Sequence, residues 1–343
     1  MATRHFFAGS NSGQGFYSLF DNIIDPEAKR IYLLKGGPGT GKSSFMRYIS
    51  EAVGDLGYEQ ELFFCSSDPG ALDAVHFPAL GIALIDATAP HTIDADLPGC
   101  RDQIVALGDF WDKDLLDQKR HEIVKAGRIK KNHFAAAFRY FAAALEVERN
   151  SMSKNQRQGD YEAKLEPILR MIEGVGHLEP GRVRHLFASA LTPEGYVSHI
   201  QNLVKNLSQR FILQGGPVYG QEKMLAIVAK YGKRAGYAVE AFHYPLDPER
   251  LMHVIIPDLD LAVLQETSLE NLDEIEGPRI VCGPWDYTSE TDYHLWDELL
   301  KRGIRSLQEA KSSHIAVEQY YTNAMDFAAL TEYRDEILAE ILL

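Results

Sequence analysis

The sequence is poor in the features that mark secreted and membrane-embedded proteins. Only three cysteines occur in 343 residues, and Cys65, Cys100 and Cys282 are too scattered for a disulfide framework or a metal cluster. No window approaches 18 uninterrupted apolar residues, and residues 1–10 lack the apolar core of a signal peptide. We therefore expect no membrane span and a reducing, cytoplasmic location.

Positive charge is also scarce. The chain has 35 Lys and Arg against 49 Asp and Glu, a formal net charge of −14, and no basic run exceeds a pair such as Lys130-Lys131. A negative field repels nucleic acid and anionic lipid, so we expect neither as a partner. The apolar share of 45% is typical of a globular protein, and the length suits two domains.

The second half of the sequence repeats the first. Residues 57–88 align without a gap to 236–267 with 12 identities in 32 positions, where chance gives roughly two. Residues 4–18 likewise align with 184–198, and 132–144 with 313–325, in the same order. This pattern indicates an ancient duplication. The glycines and the proline of GVGHLEPGR predict a linker, and so a boundary between the two halves, near residues 174–182.

Strand-like and helix-like segments alternate in each half. Apolar segments at 30–35, 61–67 and 81–86 predict strands, and residues 41–57 predict a helix that ends on glycine. Alternation of this kind predicts an α/β fold with a parallel, doubly wound sheet. Residues from about 111 to 172 are helical in pattern throughout, which predicts a helical hairpin.

These patterns together predict two duplicated three-layer α/β domains. The first covers residues 1–178 and includes the helical insertion at about 111–172, and the second covers residues 179–343. Each domain would have a parallel sheet and a helical hairpin extension.

A glycine-rich segment joins the predicted strand at 30–35 to the helix that follows it. Residues 36–43 read GGPGTGKS, the pattern Gly-x4-Gly-Lys-Ser. Glycines let successive backbone N–H groups point at one anion, and the helix N-terminus adds partial positive charge. The predicted nucleotide-binding residues are Gly36, Gly37, Pro38, Gly39, Thr40, Gly41, Lys42, Ser43 and Ser44.

Three side chains at this end of the predicted sheet would carry the chemistry of a magnesium–nucleotide complex. Lys42 would reach the β- and γ-phosphates, and the Ser43 hydroxyl would be a ligand of Mg²⁺. Asp86 ends the strand at 81–86, the position from which a neighbouring strand supplies a carboxylate to Mg²⁺.

The second half lacks all three of these side chains. Its aligned residues are Gln221, Glu222 and Gln265, although the Gly-Gly-Pro turn and the apolar strand at 261–264 are kept. Loss of three positions together is expected if all three serve one ligand, which we take to be MgATP. The second half would then be a degenerate copy without a nucleotide site.

Asp68 is the candidate general base in the sequence. It follows the strand at 61–67, where it would orient water or accept a substrate proton. The second half keeps Asp247-Pro248 at the aligned place, which instead favours a structural turn or helix-capping role. Both interpretations stay open at this point.

The glycine-rich segment, the strand before it and Asp86 resemble the P-loop NTPase superfamily. The duplicated plan, with GGPGTGKSS, the SSDP turn and GIALIDATAPH, looks like a bacterial family of tandem P-loop ATP-binding proteins. The resemblance covers nearly the whole chain and implies nucleotide binding. In that family both halves can carry the loop, and this chain departs from the pattern in its second half.

The predicted function is a MgATP-binding NTPase with one active site, in the first half. One alternative is a small-molecule kinase with Asp68 as base and the helices at 111–172 as a lid. A second alternative is a regulatory module that senses nucleotide without turnover. The expected partners are a nucleoside triphosphate and a further small molecule or protein. No Asn-Lys-x-Asp guanine signature occurs, which mildly favours ATP over GTP.

Overall fold

The computed structural model describes residues 3–25, 27–90, 92–154, 160–173, 179–216, 219–284 and 290–343. It contains two six-stranded sheets, one from each half of the chain. The first sheet has the spatial order β1-β5-β6-β7-β4-β8. Its strands are β1 (Thr3–Phe7), β4 (Arg30–Lys35), β5 (Gln60–Cys65), β6 (Asp68–Phe77), β7 (Ile82–Asp86) and β8 (Asp102–Ala106), and β2 (Gly9–Ser12) and β3 (Gly15–Ser18) form a separate hairpin.

The second sheet has the corresponding order β9-β13-β14-β15-β12-β16. Its strands are β9 (Val183–Leu186), β12 (Gln209–Gln214), β13 (Val239–His243), β14 (Leu251–Ile256), β15 (Leu261–Gln265) and β16 (Arg279–Val281). A separate hairpin of β10 (Ser189–Thr192) and β11 (Gly195–Ser198) again follows the first strand. The strands described in the two halves therefore correspond and follow one another in the same order.

Both sheets are mixed, so the prediction of parallel sheets is wrong for one strand in each. β6 runs antiparallel to both of its neighbours, β5 and β7, and β14 does the same between β13 and β15. The chain turns back directly after β5 at Ser66-Ser67, and so short a connection can only join antiparallel strands. The remaining neighbours are parallel.

The long helices pair between the halves and not within them. The helices are α1 (Lys42–Asp55), α2 (Lys113–Gln118), α3 (Arg120–Lys154), α4 (Tyr161–Glu173), α5 (Ile200–Val204), α6 (Gln221–Arg234), α7 (Glu290–Ala324) and α8 (Phe327–Leu342). α3 and α7 pack extensively against each other, which replaces the predicted hairpin in each half. Within the described ranges, no helix combines the length and apolarity needed to cross a bilayer.

Each half also gives its last helix to the other half. Leu330, Ile337 and Ile341 of α8 are buried with the apolar face of α1 against the first sheet. Leu165, Ile168 and Ile172 of α4 are buried with α6 against the second sheet. The helix layer over each sheet therefore contains one helix from each half of the chain.

The other faces of the two sheets contribute to one shared core. Along β4, Tyr32 and Leu34 belong to the cluster under α1 and α8, whereas Ile31 and Leu33 belong to the shared cluster, as the twofold periodicity of a strand requires. The shared cluster also contains residues of the 3-10 turn at Phe20–Asn22, of α5 and of the second sheet. The two halves thus share one hydrophobic cluster between their sheets. The predicted boundary near residues 174–182 includes residues 174–178, which lie outside the described residues.

Two ion pairs with buried carboxylates connect the halves. Arg4 donates hydrogen bonds to Glu240 at 2.7 and 2.5 Å, and Arg184 donates to Glu61 at 2.8 Å to each carboxylate oxygen. The alignments equate Arg4 with Arg184 and Glu61 with Glu240. The interface therefore contains the same Arg–Glu pair twice. In one pair the first half supplies the arginine, and in the other the second half does.

Candidate functional site

The glycine loop, residues 36–41, joins β4 to α1. β4 is buried over its central four residues, which fixes the point where the loop begins. Gly39 and Gly41 have φ values of +71° and +88°, a backbone region in which a side chain is strained. Gly41 precedes the first residue of α1 and turns the chain into the helix. The loop conformation thus depends on glycine at these two positions.

Lys42 lies folded over the loop. Its ammonium donates hydrogen bonds to the carbonyl oxygens of Gly36 and Gly37, at 3.1 and 2.8 Å. It is also 3.6 Å from the Asp86 carboxylate, and only 11% of the side chain is exposed. The ammonium is therefore held among loop carbonyls next to the acid that the sequence places at the end of a strand.

Asp86 reaches the loop because β7 is the parallel neighbour of β4. Leu34 pairs with Asp86 in the register, so the acid lies beside the point where β4 gives way to the loop. Asp86 accepts hydrogen bonds from the backbone and hydroxyl of Thr88. Burial raises the pKa of Asp86, while Lys42 and Thr88 oppose the shift. The carboxylate is thus fixed in position next to Lys42.

The remaining predicted loop residues fall in the same place. The Thr40 hydroxyl is buried and donates to the carbonyl oxygen of Gly37 at 2.8 Å, which stabilises the turn. The Ser43 hydroxyl accepts from the backbone N–H of Leu72 on β6 at 2.9 Å. Pro38 is half-buried in the turn, and Ser44 is exposed on the first turn of α1.

One acid of this region was not expected from the sequence. Ala74 pairs with Ile85 across β6 and β7, so Asp73 lies at the same end of the sheet as Asp86. Asp73 is 4% exposed, and burial together with the charge of Asp86 raises its pKa to about 8. The alignment equates Asp73 with Met252, so the second half lacks an acid at this position, as it does at the position of Asp86.

Asp68 forms an ion pair with a long helix. It begins β6, and its carboxylate is 2.9 Å from the ammonium of Lys311 on α7. The aligned Asp247 is 3.2 Å from Arg149 on α3. In both halves this acid binds a basic residue on the helix contributed by the opposite half, which favours a structural role.

The end of α7 covers the glycine loop. A β-carbon on Gly37 would lie 2.6 Å from the Tyr321 ring, and one on Gly39 would lie 2.6 Å from the carbonyl oxygen of Glu318. The Thr322 hydroxyl donates to the carbonyl oxygen of Gly39 at 3.1 Å. These helix residues gave no signal in the sequence, because their role depends on packing between distant segments.

The loop of the second half has similar geometry and different chemistry. Gln221 is fully buried, and its amide donates to the carbonyl oxygen of Gly215 at 2.7 Å, as Lys42 does at the aligned Gly36. Nearby, the buried side chain of Arg250 binds Glu148 at 2.6 Å. A neutral amide therefore supports this loop, and an internal ion pair lies beside it.

A magnesium ion at such a loop takes few ligands from the protein. No group of three or more His, Cys, Asp or Glu side chains is arranged to hold a metal ion in the part of the chain that the structure describes. Mg²⁺ beside a nucleotide needs only a hydroxyl and a carboxylate, with phosphate oxygens and water completing its octahedron. Ser43 and Asp86 would supply that donor set.

Comparison with known proteins adds nothing to this geometry. No protein-family model, no curated protein and no solved structure matches the chain.

Proposed function

We propose that the first half binds MgATP on the glycine loop and hydrolyses it. The observation that carries the proposal is the position of Lys42, which is held by the carbonyls of Gly36 and Gly37 and lies 3.6 Å from Asp86. An ammonium in this position can exchange loop carbonyls for phosphate oxygens without moving far. The helix N-terminus at the same place favours an anion.

The two halves would have separate roles. Ser43 and Asp86 would hold Mg²⁺, which would neutralise charge on the phosphates, and Lys42 would bind the terminal phosphates. In the second half, Gln221 and Gln265 carry no charge for either task. We infer that the halves arose by duplication, a view that the matching strand orders support, and that the second half is a pseudo-domain.

Calorimetric titration tests nucleotide binding. Wild-type protein should bind ATP with Mg²⁺, and Lys42→Ala should weaken binding by at least about tenfold, because it removes a charged hydrogen-bond donor. Ser43→Ala and Asp86→Asn should reduce the dependence of affinity on Mg²⁺. Release of phosphate from ATP then measures hydrolysis.

Lys223→Ala is the matched control. Lys223 is an exposed lysine in the first turn of α6, as Lys42 is in α1, but it belongs to the degenerate loop. This variant should bind ATP as wild type does. The proposal fails if wild-type protein binds neither ATP nor GTP, or if Lys42→Ala binds as well as Lys223→Ala.

The contact between α7 and the loop favours a second candidate, a nucleotide sensor without turnover. Tyr321 and Thr322 touch Gly37 and Gly39, so phosphates on the loop would meet the end of α7. Hydrogen exchange of residues 315–324 tests this function. A sensor requires that ADP and a non-hydrolysable ATP analogue protect this part of α7 from exchange to different extents. Equal protection would exclude the sensor function.

A further inference from the structure

The paired long helices carry lysines at aligned positions, and the two lysines have different partners. Lys130 on α3 and Lys311 on α7 each stand two residues before the aligned segments 132–144 and 313–325, and so correspond at the same shift. Lys311 binds the carboxylates of Asp68 and Glu194, at 2.9 and 3.3 Å. Lys130 has no carboxylate within ion-pair distance among the described residues, and its ammonium lies 3.0 Å from Nδ1 of His314. Lys311 is therefore committed to acids, whereas Lys130 is not.

A short series of contacts leads from Lys130 to the glycine loop. Nε2 of His314 lies 3.4 Å from the Glu318 carboxylate, one turn further along α7. The carbonyl oxygen of Glu318 is the atom that a β-carbon on Gly39 would meet. Lys130 thus lies beside the part of α7 that covers the loop.

The pKa shifts of Lys130 and His314 agree with the short distances between these groups. Burial lowers the pKa of Lys130, and the charge of Lys42 lowers it further, while Glu318 opposes the shift. Burial also lowers the pKa of His314 to about 4, with further lowering from Lys130 and Lys42. His314 is therefore neutral at pH 7 and accepts the hydrogen bond from Lys130 on Nδ1.

Lys42 is paired with the Asp86 carboxylate, whereas Lys130 contacts a neutral imidazole and attracts the Glu318 carboxylate only from beyond ion-pair distance. Two ammonium groups that are partly withdrawn from water repel each other, and a neutral imidazole does not cancel the charge of Lys130. An anion bound at the loop would attract both ammonium groups. The anion that the proposed function brings to the loop is the polyphosphate of a nucleotide.

We propose that Lys130 is a second phosphate-binding lysine of the site, acting from α3 on the terminal phosphates of the nucleotide that Lys42 binds from the loop. The inference rests on the proposed function and extends it to the helix layer. Lys130 belongs to the first half, and His314 of the second half positions it. Both halves would therefore contribute to recognition of one triphosphate.

Titration of ATP, ADP and AMP into four proteins tests this assignment: wild type, Lys130→Ala, Lys130→Arg and Lys131→Ala. Lys131 is the matched control, since it is the next residue of α3 and is exposed. Lys130→Ala should weaken ATP binding about tenfold or more, weaken AMP binding little, and leave the unfolding temperature of the free protein unchanged. Lys130→Arg should restore most of the affinity, and Lys131→Ala should match wild type.

The failures of the two proposals can be told apart. If Lys42→Ala loses ATP binding but Lys130→Ala binds ATP as Lys131→Ala does, the role of Lys130 is wrong and the proposed function stands. An equal loss for ATP and AMP would also overturn the assignment to the terminal phosphates. If wild-type protein binds no nucleotide, both proposals fall.

Discussion

Phe7 and Phe187, which occupy aligned positions in the two halves, exchange a pair of backbone hydrogen bonds. The N–H of Phe7 donates to the carbonyl of Phe187 at 2.9 Å, and the N–H of Phe187 donates to the carbonyl of Phe7 at 3.1 Å. Such a reciprocal contact between equivalent residues is the signature of an isologous interface in a twofold dimer. The chain therefore resembles a dimer whose two subunits have been joined into one.

The first prediction concerns the ion pairs beside this contact. Glu61→Gln should destabilise the protein by about 3 kcal/mol, because Arg184 would lose the buried carboxylate that receives two of its hydrogen bonds. Urea unfolding measures the change. Glu298→Gln, which affects an exposed pair with Arg302 on α7, is the control and should leave stability unchanged. Equal effects of the two variants would contradict this prediction.

Glu61 also sets a pH dependence. Burial alone would raise the pKa of Glu61, but the hydrogen bond from His76 and the charge of Arg184 lower it well below the usual range. The folded state then binds fewer protons than the unfolded state as the pH falls below about 4.5. The stability that Glu61 contributes should be complete above that pH and decline below it. Glu61→Gln should flatten this part of the curve of unfolding free energy against pH.

The second prediction concerns a half-buried histidine. His199 packs against Phe7 and Phe64 with ring centroids 4.8 Å away, and burial, aided by the charge of His5, lowers its pKa to about 4. Its stabilising contribution is present above pH 6.5 and is lost as the pH falls towards 4. Leu19 is the aligned residue, so His199→Leu should raise the unfolding temperature more at pH 5 than at pH 8. An equal shift at both values would exclude this histidine as a source of acid sensitivity.

The third prediction tests the contact between α7 and the glycine loop. Gly39→Ala must overcome both a φ of +71° and the carbonyl oxygen of Glu318, whereas Gly99→Ala meets a φ of +75° in open space. The strained backbone alone costs about 1–2 kcal/mol. Gly39→Ala should therefore destabilise the protein by more than Gly99→Ala in urea unfolding. If both cost the same, α7 does not pack on the loop in solution.

The fourth prediction concerns Asp68. Because its partner is Lys311 and the aligned Asp247 binds Arg149 in the same way, we expect Asp68→Asn to keep phosphate release within a few-fold of wild type. Loss of a general base typically costs a factor of 10²–10⁴. Turnover that is slower by about a hundredfold, with ATP affinity unchanged, would instead establish Asp68 as the base.

The fifth prediction follows from the exchanged helices. Ile337 of α8 and Ile168 of α4 are both fully buried, so replacing either by Ala should cost about 2–5 kcal/mol. Hydrogen exchange should report the damage in the opposite half of the sequence. Ile337→Ala should lower protection in β4, and Ile168→Ala should lower it in β12. Damage confined to the half that carries the substitution would contradict the exchange.

Local patterns in the sequence predicted the elements around the loop. The apolar run at 31–34 and the glycines after it appear as β4 and the glycine loop, and Asp86 lies beside them as expected. The sequence did not predict β6, because Pro69 and Gly70 interrupt its pattern near the start. Asp73, which β6 carries, was missed with it.

The sequence also did not predict which helices pack against each other. Periodicity in α3 and α8 predicts that each helix has an apolar face, but the pattern is the same whichever half covers that face. The contacts of Lys130, His314 and Tyr321 depend on this choice. They therefore required coordinates and not a motif.

The exchange of α8 also sets an order of events during synthesis. A ribosome makes the chain from its N-terminus at about 5–20 residues per second, so the strands of the first sheet and the glycine loop leave it long before α8. Until residues 327–342 arrive, Phe45 and Ile49 of α1 lack the helix that buries them. The loop-bearing half is thus the first part to be translated and among the last to be completed, and it needs the rest of the chain, as a nascent subunit needs its partner, to finish folding.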